Sequence, residues 1–180
     1  MSSNWRISSL NGALLAAYFI PIWTIIAFSI MVSPIHGLYE RPSVSIALYT
    51  SDYLQLGKIA TVRLAWLLAL ARITVVAFFA AFLALVSFPS MRKSGGADEA
   101  LAVALCLGSV LSFASMLMAA KVGEIEALRM HAAELLMLLG TAIVMLVEQP
   151  AKPVARQAPA AEPSAAKPSV PAGELSLQQP

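Results

Sequence analysis

Four apolar stretches, each long enough to cross a bilayer, make up nearly half of this 180-residue chain. They cover roughly residues 13–32, 65–88, 101–120 and 128–147. The first, from Leu14 to Val32, carries no charge. A hydrocarbon core of about 30 Å takes about 20 apolar residues of helix to cross. Lipid offers no partner to a bare amide or carbonyl, so each stretch must satisfy its own backbone, and a helix does that locally. The expected fold is an all-α integral membrane protein: a four-transmembrane-helix bundle over residues 1–148, followed by a disordered tail.

Composition points the same way. Apolar residues make up 59% and charged residues 12%, against about 25% charged in a soluble domain. A net charge of +2 and the lack of a basic cluster argue against a nucleic-acid partner. The single cysteine, Cys106, lies inside the third stretch, so neither an intrachain disulfide nor a Cys/His zinc spacing is available. The first stretch is longer than the apolar region of a signal peptide. It continues into Ser33-Pro34-Ile35-His36 with no small-residue cleavage site, which makes it an uncleaved span. Pro21 within it is expected to bend the helix without ending it.

Residues 33–60 form the longest connection. Pro34, Gly37 and Pro42 interrupt regular structure, and Tyr39, Tyr49 and Tyr53 suit the headgroup level. Thr50 or Ser51 is placed to cap a helix that starts near Asp52 and runs into the second span. The segment from Gln149 onward is rich in Pro and Ala and lacks aromatic residues. It cannot bury enough apolar surface to offset ordering, hence the expectation of disorder. Lysine and arginine near the two membrane faces balance. Lys167 and the free amino group then favour cytoplasmic termini in a bacterial inner membrane.

Polar residues inside the spans are costly and therefore informative. Arg72 lies well inside the second span and Glu134 inside the fourth. A charge near the bilayer centre costs about 2.5–3.5 kcal/mol on the mildest scale. Both spans begin at the same face, so the charges sit at matching depth, and a direct Arg72–Glu134 ion pair is expected. His131, Glu134 and Thr141 form a polar stripe on the fourth span, with Glu124 and Glu148 at its ends. The third span carries a stripe of small residues that includes Gly108, Ser112 and Ser115. Such a stripe lets another helix approach closely. Several phenylalanines, including Phe78, Phe79 and Phe82, read as filler facing lipid or a partner.

His36 and His131 lie on one face of the membrane and are the only candidates for a metal or a haem iron. A single His-x-x-Glu motif does not make a di-metal site, so no metal or other cofactor is expected. No nucleophile elbow, phosphate loop or metalloprotease motif occurs, which argues against an enzyme. The leading reading is a non-catalytic accessory, scaffold or assembly subunit of a larger membrane complex, in contact with a protein partner or a second copy. A second is a small oligomeric transporter or channel subunit that uses Arg72 and Glu134. A third is a redox anchor that holds haem or quinone.

Overall fold

The structure is a computed structural model that describes residues 7–88 and 96–148. Helix α1 spans Ile7–Val32, α2 Pro34–Tyr39, α3 Val44–Asp52, α4 Lys58–Ser87, α5 Gly96–Val122 and α6 Ile125–Glu148. Among the described residues there is no strand. Helices α1, α4, α5 and α6 are each long and apolar enough to cross a membrane, so the chain is a multi-pass membrane protein. Their 24 to 30 residues correspond to about 36–45 Å of helix, more than the hydrocarbon core requires. The expected tail falls on residues 149–180, outside the described residues.

The four long helices run antiparallel in chain order and close a ring: α1 on α4, α4 on α5, α5 on α6, and α6 back on α1. The surface is apolar and the interior partly polar, the reverse of a soluble bundle. Ile25, Phe28, Leu67, Leu70, Leu136 and Val147 point outward, where lipid is the solvent. Phe19, Trp23, Phe79, Phe82, Leu101 and Leu138 fill the core. Phe79 and Phe82 are therefore core residues rather than the outward-facing filler expected of them. Phe19 explains Phe79: the two rings stack with centroids 5.8 Å apart. Helix α1 runs unbroken through Pro21.

The connection between α1 and α4 is not a loop lying on the surface. Helix α2 packs on α1 and α4, and α3 packs on α5. Ser43, Ser45, Ile46, Ala47 and Thr50 are buried, so this segment folds down into one end of the ring. Gly37 allows it: a Cβ there would come within 2.8 Å of the Ile30 backbone.

The helix of the second span starts ahead of Ala65, as the helical spacing up to Arg63 implies, but not near Asp52. Helix α3 ends at Asp52, Gln55 turns the chain at φ 48°, and α4 starts at Lys58. Asp52 at a helix C-terminus opposes the helix dipole. Thr50 bonds back to the Ile46 carbonyl within α3 instead of capping a following helix.

Helix ends are satisfied in three ways. Helix α5 carries Asp98 and Glu99 in its first turn and Lys121 in its last, each complementing the dipole. Gly123, at φ +79°, ends α5, and the Glu124 amide donates to the Ala119 carbonyl at 3.0 Å. That left-handed glycine makes the two-residue turn into α6. Helix α1 has no acidic residue in its first turn. The Glu148 carboxylate of α6 supplies one, accepting from the Ile7 and Ser8 amides at 2.9 Å each.

Candidate functional site

The inner face of α6 presents Ala127, His131, Glu134, Leu138, Thr141 and Met145, all buried. This is the three-and-four spacing of one helix side. Glu134 lies nine residues along α6, about 14 Å from its start. Its Oε1 accepts a hydrogen bond from Trp23 Nε1 of α1 at 3.2 Å. Its Oε2 accepts one from Ser112 Oγ of α5 at 3.4 Å and faces His131 Nδ1 at 3.0 Å. One carboxylate thus joins three of the four long helices. The His131 and Glu134 side chains are 3% and 5% exposed, too little for water to screen either from the other. His131 Nε2, on the far edge of the ring, is buried with no hydrogen-bond partner among the described residues.

Arg72 is buried on α4 but does not form the expected ion pair with Glu134. Its Nη1 donates to Ser43 Oγ at 3.1 Å and its Nη2 to the Pro42 carbonyl at 3.2 Å. The two charges attract through the bundle interior without touching. The correction has a simple cause. The Pro42–Ser43 segment descends to Arg72, and backbone and hydroxyl oxygens meet a guanidinium fork closer at hand than a carboxylate two helices away. Arg72 Nε and Ser45 Oγ join His131 Nε2 as buried polar atoms without a hydrogen-bond partner among the described residues.

The polar stripe of α6 is real but broken. Toward the chain termini, Asn11 Nδ2 of α1 donates to Thr141 Oγ1 at 3.0 Å, and Glu148 follows at the helix end. Between Glu134 and Thr141 stands Leu138, fully buried. The small-residue stripe faces this side. Gly108, Ser112 and Ser115 are all buried, and a Cβ on Gly108 would lie 3.3 Å from Leu138 Cδ2. The stripe is thus occupied by contacts within this chain.

Above His131 lies a pocket of about 360 Å³, lined by Tyr39, Arg41, Val44, Glu124, Glu126, Ala127 and Met130. Arg41 Nη1 meets Glu126 Oε2 at 3.2 Å, with both side chains exposed. His36 is exposed on α2 while His131 is buried, which is not the arrangement two facing axial ligands need. Among the described residues no group of three or more His, Cys, Asp or Glu is placed to hold a metal ion.

Sequence reasoning missed Trp23, Ser43 and the Arg41–Glu126 pair. Trp23 carried a signal: a tryptophan deep inside a span needs an acceptor for its N–H. No family model matches the chain, and neither a curated protein nor a solved structure matches it.

Proposed function

We propose that the chain is a small proton-handling membrane protein of the transporter or channel class, with His131 and Glu134 as its exchange pair. One observation carries this reading: an imidazole and a carboxylate share a hydrogen bond in the middle of the bundle, and Nε2 of the ring has no partner among the described residues. A purely structural clamp needs only hydrogen bonds, which an amide would supply without the expense of an ionisable group in the membrane. With Nε2 free to accept, Nδ1 carries the ring proton and donates to the carboxylate. A proton that arrives at Nε2 makes the ring an imidazolium, which can pass its Nδ1 proton to Glu134, so the pair can take up and return a proton. Arg72 contributes a fixed positive charge nearby. Leu138 separates the pair from the Asn11–Thr141–Glu148 half of the bundle, so exchange through the bundle requires movement there.

The membrane proposed is the bacterial cytoplasmic membrane, with both termini inside, because Lys167 tips an otherwise even distribution of lysine and arginine. The accessory, scaffold or assembly-subunit reading now stands second. Its small-residue stripe is used within the chain. It retains an apolar groove of about 520 Å³ on the outer face of α4, lined by Met31, Trp66, Leu67, Leu70 and Ile73 with Arg63 at one end. A partner helix or a lipid chain fits such a groove.

Reconstitution into sealed vesicles with an internal pH-sensitive dye tests the first reading. Wild-type protein is expected to dissipate an imposed pH gradient, and Glu134→Gln is expected to abolish this while keeping the fold. Vesicles as tight as empty ones, or an unchanged rate in Glu134→Gln, would overturn it. A partner that co-purifies in mild detergent from such inactive protein would favour the accessory reading.

A further inference from the structure

We infer that the pocket above His131 is the entrance to the exchange pair for small cations, hydronium foremost, and that residues 40–43 form a strap that closes it. What passes through rests on the proton-handling reading; the strap does not. The strap is held at both ends by cations. Outside, Arg41 of the strap meets Glu126 of α6 at 3.2 Å. Inside, Arg72 of α4 holds the Pro42 carbonyl at 3.2 Å and Ser43 Oγ at 3.1 Å.

Between these two holds lies the pocket. Tyr39, Arg41 and Val44 form one wall and Glu124, Glu126, Ala127 and Met130 the other. Ala127, 3% exposed, is its floor. His131 follows Ala127 by four residues on the same buried face, about 6 Å further along α6.

The two latches differ in strength for a physical reason. The outer pair has side chains 87% and 71% exposed, so water and salt screen it and it opens readily. The inner one is buried and keeps the strap tethered when the outer one opens. Far from the strap, Tyr53 Oη donates to the Lys121 carbonyl at 3.0 Å, fixing the end of α3 to α5. Motion is therefore confined to the 40–43 end.

The charges facing the opening are Arg41, Glu124 and Glu126. Glu124 forms no ion pair among the described residues, so the mouth carries one carboxylate in excess. That favours cations over anions.

The test uses a reactive thiol at the floor. In full-length Cys106→Ser protein, Ala127→Cys is treated in sealed vesicles with membrane-impermeant thiol reagents of either charge. The expected result is labelling from one side of the membrane only, faster with the cationic reagent. Arg41→Ala or high salt should raise the rate roughly two- to fivefold, the range an exposed ion pair allows. The charge swap, Arg41→Glu with Glu126→Arg, should return it to the starting value, which a misfolded variant would not do.

Labelling that ignores Arg41, Glu126 and salt overturns the strap. So does a thiol that stays unreactive in every variant. Equal rates for the two reagents overturn the preference for cations. A latch-dependent rate in protein that passes no protons supports the strap and counts against the proton reading alone.

Discussion

At the residue scale, Glu134 bears the most bonds of any buried charge in the bundle, and its replacement separates charge from hydrogen bonding. Glu134→Ala leaves Trp23 Nε1 and Ser112 Oγ without an acceptor and His131 without its partner. Thermal unfolding in detergent should report a loss of about 2–4 kcal/mol. Glu134→Gln keeps an acceptor oxygen and should lose less than half of that. Equal losses would mean that charge, rather than bonding, dominates the stability of the site. Arg72 is the instructive error of the sequence reading. Matched depth from one face is a statement about distance along two helices. It says nothing about a connecting segment that descends between helices and meets the guanidinium first. Adjacency in depth is one coordinate of three, and rotation about each helix axis supplies the others.

At the element scale, the ends and contact faces of helices decide more than propensity. Glu148→Ala removes the carboxylate that accepts the first amides of α1. Hydrogen exchange at Ile7 to Leu10 should quicken, with a stability loss of about 0.5–2 kcal/mol, the range for a lost N-cap. Unchanged protection there would show that the α1 terminus is held by other contacts. Helices α5 and α6 meet at Gly108 and Leu138, where a Cβ would lie 3.3 Å from a leucine methyl. Gly108→Ala asks only for a small shift of a flexible side-chain end and adds helix propensity, so the net change should be within about 1 kcal/mol. Gly108→Leu overfills the contact and should destabilise by about 1–3 kcal/mol in the same unfolding assay. The small-residue stripe was legible as a packing face from spacing alone. Whether it packs within the chain or against a partner was not, because spacing describes one helix and never its neighbour.

At the scale of the whole molecule, an even number of crossings places the start of α1 and the end of α6 on one side, and the Glu148 bonds to Ile7 and Ser8 hold them together there. Reporters fused before residue 7 and after residue 148 should read the same side of the membrane, and a probe at Arg41 the opposite one. A split result for the two termini would remove one of the four crossings. The sequence by itself determined the number and the helical kind of these crossings. Spanning lipid imposes a minimum apolar length and forces helical hydrogen bonding, and both constraints are local to the chain. It also marked His131, Glu134 and Thr141 as one face, because helical period is local too. Only the tertiary structure decided that Trp23 and Ser112 complete the Glu134 site, that Arg72 turns to Pro42 and Ser43, and that residues between Gly37 and Thr50 are buried at one end of the ring. Those contacts join residues from 22 to 111 positions apart. They depend on how helices rotate and lean to exclude lipid from the interior, which no single stretch of sequence encodes.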